Sequence, residues 1–393
     1  MYYRQKYLKK IIPFINKDII KVIVWQRRVW KSKLLLQVKE YLVNKFKVSE
    51  DHIVFVNKES LEFDNIKDYK DLYNYVKKFK YIFVDEVQLI EDWQKAILSL
   101  QNEWKDIYIS WSNAYLLSSE ISTILRWRYI KIEVFPFDWK EFLEAFKLKN
   151  TQKNFEKYIK YGGMPYLLNL DFKDEVIYEY LQNLYETIVL KDIIQRYKIK
   201  NVNLLERLLI YLAKNVGNLF SARNISKFLK SQKIKLSHIT IIDYLKYLQN
   251  AFLIHEVKRY DLKWKQIFEI KEKYYFTDHG IRNAIIGWFF KVDIWWVLEN
   301  IVYTNLVSNW WKVYIGEYKW LEIDFVAEKN GKTIYIQVAY LIESEETKKR
   351  EFWNLLKIKD SWPKYVVSLD ENASGYVEGI EWMSIRKFLN EIV

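Results

Sequence analysis

Four residues carry the clearest chemistry in the chain. Lys31 and Ser32 stand together where a short β-branched run, Ile19 to Val24, passes through a loop into a helical stretch. Asp85 and Glu86 stand together at the end of Tyr81-Ile82-Phe83-Val84, about fifty residues further on. A lysine and a hydroxyl at a helix N-terminus suit phosphate oxygens, because the ammonium, the free backbone N–H groups and the helix dipole all favour an anion. An acid pair after an apolar strand suits Mg²⁺ and an attacking water. In that chemistry Lys31 would reach the β- and γ-phosphates. Ser32 and Asp85 would hold Mg²⁺, and Glu86 would polarise the water.

The loop itself reads Trp25-Gln26-Arg27-Arg28-Val29-Trp30-Lys31-Ser32. With glycine in place of both tryptophans it is G-x-x-x-x-G-K-S, the P-loop pattern that cradles ATP with Mg²⁺. Such a loop needs glycine, which alone enters φ > 0 cheaply and lets the backbone approach phosphate. The chain has only 9 glycines in 393 residues, about 2% where about 7% is usual, and 17 tryptophans.

These residues need a scaffold to bring them together. Strand-like runs at Ile19–Val24, Ile53–Asn57, Tyr81–Val84, Asp106–Ser110 and Ile130–Val134 alternate with helical stretches such as Lys33–Lys45. That alternation predicts a parallel sheet with crossover helices. After Phe135 the pattern turns helical, at Trp139–Phe146 and Glu175–Arg196. Residues 201–279 predict a winged helix. Its helices are Leu204–Ala213, one capped by Ser221 and one capped by Ser237, and its hairpin is Phe252–Arg259 with Gln266–Phe276. A helical linker with a hairpin is the other reading. The last section mixes a helix at Val297–Ser308 with strands at Lys312–Ile315, Glu322–Ala327, Thr333–Val338 and Tyr365–Leu369.

Composition narrows the classes. There is no cysteine, which excludes a disulfide framework, a thiolate metal site and a cysteine nucleophile. The four histidines show no metal-ligand spacing. No apolar run approaches the roughly 20 residues of a spanning helix, so a cytoplasmic protein without a membrane partner is expected. The net charge of +13 favours nucleic acid or another anion, although Lys-rich, Ile-rich and Asn-rich chains also arise from AT-rich coding.

Taken together, the motifs resemble the prokaryotic AAA-like P-loop ATPases that carry a C-terminal domain similar to restriction endonucleases. The marks are Arg27-Arg28 in the loop, Val84-Asp85-Glu86-Val87-Gln88 with Trp93, Ser112-Asn113-Ala114, Arg128-Tyr129 and Pro136-Phe137 with Glu141-Phe142. Gly162-Gly163-Met164-Pro165, Asp278-His279-Gly280-Ile281-Arg282, Glu299-Asn300, Glu322-Ile323-Asp324-Phe325 and Gln337-Val338-Ala339-Tyr340 continue the set. The resemblance implies a fold of three parts. An AAA-like P-loop ATPase domain with a parallel α/β sheet spans 1–150. A helical segment and winged helix span 151–279, and an α/β restriction-endonuclease-like domain spans 280–393. It implies Ser112 or Asn113 as the sensor of the γ-phosphate or water. It implies Arg128 as a phosphate-contacting arginine, from its own or a neighbouring subunit of a homo-oligomer.

The chain departs from that family mostly by tryptophan at family glycines: 25, 30, 111, 127 and 264, then 295, 310, 320 and 353. Glycine and tryptophan together number 26, close to a normal combined share. One stop codon is read as glycine in some bacterial lineages and as tryptophan in others, so translation with the wrong code accounts for the pattern. If the tryptophans are real, the loop is degenerate and binds nucleotide weakly or not at all.

In the last section Glu299, Asp324 and Gln337 follow the order of a nuclease metal site, but an amide replaces the third acid and Ala339 stands where a lysine would activate water. That predicts an inactive, binding-only domain. Structural ion pairs of Glu299 and Asp324 are the plainer alternative, and an active nuclease the weakest. The leading function is an ATP-binding, Mg²⁺-dependent ATPase coupling hydrolysis to conformational change, with DNA as a candidate partner. The alternative is a non-catalytic DNA-binding or defence-related module. Gly162-Gly163 reads as a backbone turn without chemistry, and His238 and His279 as structural.

Overall fold

The structure is a computed structural model that describes residues 2–112, 125, 128–220, 224–227, 237–287 and 294–393, less the side chains of 190–192, 268–271 and 295. They group into two units, Met1–Phe135 with Asn250–Phe252, and Pro136–Gln249 with Leu253–Val393.

The first unit is built on five parallel strands: β1 (Ile20–Val24), β2 (Ile53–Asn57), β3 (Tyr81–Asp85), β4 (Asp106–Trp111) and β5 (Tyr129–Glu133). Their order is β2-β3-β4-β1-β5. Every residue of β1, β3 and β4 is buried, as expected of central strands covered on both faces. Full burial of each Val or Ile there contributes about 1.5–3 kcal/mol. Helix α1 (Gln5–Ile11) precedes β1, and α2 (Lys31–Phe46) follows it, burying Leu34, Leu35, Val38 and Leu42. Helix α3 (Tyr69–Val76) starts at an Asp68/Asp71 capping box, and α4 (Trp93–Asn102) leads into β4. Strand β4 lies between β1 and β3, so its end separates the loop after β1 from the acids after β3.

The second unit begins with helices α5 (Trp139–Ala145), α6 (Gln152–Tyr161), α7 (Asp174–Thr187, continuing in π geometry to Gln195) and α8 (Val202–Lys214). A short strand β6 (Leu219–Phe220), a helical turn at 224–227 and α9 (His238–Asn250) come next. The expected Ser221 cap lies outside the described residues. Ser237 does cap α9, its Oγ accepting the Thr240 N–H at 3.1 Å. The hairpin β7 (Ile254–Asp261) and β8 (Gln266–Phe276) turns on Asp261, whose carboxylate accepts the N–H groups of Lys263 and Trp264 at 2.7 and 2.9 Å. Then come α10 (His279–Ile285), α11 (Ile294–Ser308), β9 (Lys312–Tyr318), β10 (Leu321–Lys329), β11 (Lys332–Ala339), α12 (Glu345–Leu356) and β12 (Lys364–Ser368). Strands β13 (Ser374–Val377) and β14 (Ile380–Ser384) and helix α13 (Ile385–Glu391) end the chain.

These strands form one mixed sheet, β13-β14-β12-β11-β10-β9-β7-β8-β6. Two boundaries therefore differ from the sequence expectation. The first unit closes at Phe135 rather than near 150, and no division falls at 279. The cause of the second is pairing: β7 runs parallel to β9, Arg259 opposite Ile315, so the hairpin and the C-terminal strands are one sheet.

The two paired glycine motifs interlock within this unit. Asp278 caps α10 by accepting the Ile281 N–H at 3.0 Å, and its other oxygen accepts the Gly163 N–H at 2.7 Å. A Cβ on Gly163 would lie 2.1 Å from the Phe137 carbonyl oxygen, and one on Gly280 2.1 Å from that of Tyr161. His279 is buried, its Nε2 within 2.6 Å of the Tyr158 carbonyl oxygen. These motifs pack backbone on backbone, in keeping with a role in structure.

Candidate functional site

The loop from Trp25 to Trp30 joins β1 to α2, and Lys31 and Ser32 begin the helix. The Lys31 ammonium is almost fully buried. It donates to the carbonyl oxygens of Trp25 at 3.1 Å and Gln26 at 2.9 Å, and lies 3.8 Å from a Glu86 carboxylate oxygen. Gln26 is buried with neither amide atom hydrogen-bonded among the described residues. Val29 is fully buried, and its carbonyl accepts from the guanidinium of Arg4 at 3.2 Å. The same Arg4 nitrogen donates to the Phe135 carbonyl at 2.7 Å, tying the loop to the end of the unit. Arg27 pairs with Glu59 at 3.1 Å, and Arg28 is exposed.

The acids sit across from this loop and are set by β4. Ser110 Oγ donates to Asp85 and accepts the Glu86 N–H at 3.0 Å, and Ser112 Oγ donates to Glu86. Gln88 Nε2 donates to the other Glu86 oxygen. Burial raises Asp85 above the usual carboxylate range, opposed by hydrogen bonds from Ser110 and Ser32. Burial also pushes Glu86 up, but the Lys31 ammonium, Ser112 and Gln88 outweigh it and hold Glu86 below its ordinary value. The arrangement is a lysine, a helix N-terminus, a hydroxyl bonded to one carboxylate, and a second carboxylate kept ionised. That donor set fits a triphosphate with Mg²⁺.

Two expected residues are not brought into this site. Asn113 lies outside the described residues. For Arg128, a contact within its own subunit is not borne out. Strands β1 and β5 are parallel with Ile20 opposite Tyr129, so Arg128 lies level with the start of β1, its carbonyl accepting the Ile20 N–H at 3.0 Å. The P-loop is at the other end of that strand, roughly 16 Å away at about 3.3 Å per residue. Arg128 therefore does not touch a phosphate bound to its own subunit's loop. Its guanidinium instead approaches Asn102 at 3.5 Å. Sequence reasoning missed Arg4 and Ser110, which act through the fold rather than through a motif.

The tryptophans of the loop stand in backbone that suits glycine. Trp30 has φ 69° and ψ 35°, left-handed, and Trp25 has φ 158°. Trp104, Trp310 and Trp320 are also left-handed, at φ 59°, 64° and 72°. Bulky side chains rarely occupy that region. Trp111 lies in β4 and Trp353 in α12, and neither has positive φ, so conformation favours no glycine at those two. The Trp25 ring packs into the interior of the first unit. It is buried, 4.1 Å from Phe135 between ring centroids. The Trp30 ring lies under the Lys33 ammonium at 3.8 Å.

In the second unit Glu299, Asp324 and Gln337 do not assemble as a metal site. A buried lysine, Lys273 of β8, stands among the acids, and Gln337 Nε2 turns to Glu351 at 3.5 Å. Among the described residues no group of three or more histidines and acids is placed to hold a metal ion. No helix of the described residues is long and apolar enough to cross a membrane.

Comparison with known proteins agrees with the first unit. Residues 17–143 match the AAA domain family, and residues 152–291 match a domain of unknown function (DUF8612). The P-loop, the acid pair and the parallel sheet thus belong to an AAA-type, ATPase-like domain. The whole chain is 35% identical over 394 residues to an uncharacterized protein of Haemophilus influenzae, covering 96% of each. It is 31% identical over 376 residues to an uncharacterized protein of Methanocaldococcus jannaschii, covering 88% of this chain and 81% of that one. The chain belongs to the family of these proteins. Among solved structures, the Walker-type ATPase paby2304 of Pyrococcus abyssi is similar with TM-score 0.43 at 16% identity, over 72% of this chain and 96% of that one. AMPPCP-bound DnaA from Aquifex aeolicus follows with TM-score 0.33 at 14% identity, over 63% and 87%.

Proposed function

We propose that the protein is an ATP-binding, Mg²⁺-dependent ATPase whose loop carries glycine at positions 25 and 30 in the cell. The observation that carries this reading is the facing of Lys31 and Glu86 at 3.8 Å, with Ser32 bonded to Asp85 beside them. In this reading the Lys31 ammonium exchanges the Trp25 and Gln26 carbonyls for phosphate oxygens. Ser32 and Asp85 hold the ion that neutralises developing charge. Glu86, kept ionised, orients the water and accepts its proton. The left-handed backbone at Trp30 supports glycine there, and with it the ability of the loop to approach phosphate closely.

The order of α8, 224–227, α9 and the β7–β8 hairpin supports a winged helix. The exposed residues of α9, however, include Ile239 and Ile242, and Lys246 is the one lysine or arginine in that helix. Phosphate contact through α9 therefore has little support, and DNA enters this reading as an effector of turnover rather than as a substrate.

The test is ATP turnover by the chain with glycine at 25 and 30. Glu86→Gln should bind ATP and fail to hydrolyse it. A glycine-bearing chain that hydrolyses no ATP, with or without DNA, would overturn the reading.

A further inference from the structure

The acid cluster of the second unit already contains a cation. Glu299 projects from α11, Asp324 and Glu322 from β10, and Lys273 reaches them from β8. The Lys273 ammonium lies 2.8 Å from Glu322, 3.4 Å from Glu299 and 4.0 Å from Asp324, and its side chain is 3% exposed. Each of the two buried acids has a further donor. The Tyr275 hydroxyl donates to Glu299 at 2.9 Å, and the Val338 N–H donates to Asp324 at 2.8 Å. Gly217 leaves the room that Glu299 needs, since a Cβ there would lie 2.6 Å from its carboxylate oxygen.

We propose that Lys273 is the resident cation of this cluster and stands where a divalent metal would sit in a nuclease with this order of acids. An ammonium and a divalent ion compete for the same carboxylate oxygens and repel each other at such distances. A lysine this buried keeps its proton only because acids surround it, and here they hold it above its ordinary range against the opposing effect of burial. The acids need the lysine equally, because unpaired carboxylates in an apolar interior are strongly disfavoured. This cluster is thus closed to Mg²⁺ by a side chain of the same unit. This inference does not depend on the nucleotide reading of the first unit.

The experiment uses the full chain without nucleotide and follows Mn²⁺ binding by electron paramagnetic resonance together with thermal unfolding. The unsubstituted chain should show no Mn²⁺ binding at 1 mM that Asp324→Asn removes, and EDTA should shift the midpoints of the unsubstituted and Asp324→Asn chains alike. Lys273→Ala should lower the midpoint, and Mn²⁺ should raise it again while binding with a stoichiometry near one. Adding Asp324→Asn to Lys273→Ala should abolish that binding. If Lys273→Ala does not fold, Lys273→Met with Glu299→Gln keeps the volume and neutralises a pair, and should unfold at a higher midpoint than Lys273→Met alone. Mn²⁺ binding by the unsubstituted chain that is lost in Asp324→Asn would overturn the proposal. So would a Lys273→Ala variant that is as stable as the parent and binds no Mn²⁺.

Discussion

Replacing Trp320 by glycine should stabilise the second unit. Trp320 closes the tight turn between β9 and β10, where Tyr318 pairs with Leu321 and leaves a two-residue loop. Both loop residues are left-handed, Lys319 at φ 49° and Trp320 at φ 72°. Such a loop is of type I′, in which Asn-Gly is favoured because both positions need φ > 0. An L-residue in that region costs about 1–2 kcal/mol. The indole offers little in return, since Trp320 is 91% exposed. Glycine loses more freedom on folding, which takes back roughly 0.5–1 kcal/mol. The net gain is about 0.5–1 kcal/mol, or about 1–4 °C in melting midpoint for a unit of this size. Trp320→Ala is the control, since it removes the same ring but keeps the Cβ, and should shift stability by less than about 0.5 kcal/mol. Thermal and urea unfolding of the three chains measure this. Alanine stabilising as much as glycine would refute the argument from backbone conformation.

Other expectations bear on the site and its support. Arg4→Ala leaves the Val29 and Phe135 carbonyls without that donor and should cost about 2–3 kcal/mol, read by urea unfolding. Glu86 titrates below its ordinary value, so its contribution is present above the unfolded pKa of about 4.3 and is lost as pH falls through the lower folded value. Lys31→Met leaves burial as the largest effect, raises Glu86, and should reverse that sign, so the variant gains stability relative to the parent between pH 7 and pH 4. Gly163→Ala drives a Cβ against the Phe137 carbonyl and should cost about 2–3 kcal/mol in unfolding experiments.

The P-loop sheet was legible because its strands are short β-branched runs, ended by residues with chemistry. Ile53–Asn57 falls in the structure where the sequence placed it, and Lys31, Ser32, Asp85 and Glu86 meet as their order implied. What was not legible depends on pairing across long separations. Lys273 looks like one lysine among many in Lys271-Glu272-Lys273, and its partners lie 26 and more residues away in another helix and strand. Arg4 precedes any recognisable motif, and its acceptors are 25 and 131 residues distant. The level of Arg128 along the sheet required the register of β5 against β1, which alternation alone does not supply. The merging of the hairpin with the C-terminal strands was hidden for the same reason.

The central claim is that the loop binds nucleotide once its backbone is glycine at 25 and 30. Titration of Mg²⁺-ATP into the Trp25→Gly, Trp30→Gly chain by calorimetry tests it most directly, with Lys31→Ala in the same background as the control. The account predicts saturable binding that weakens at least tenfold in Lys31→Ala. No binding by the glycine-bearing chain, or equal binding with and without Lys31, would contradict it.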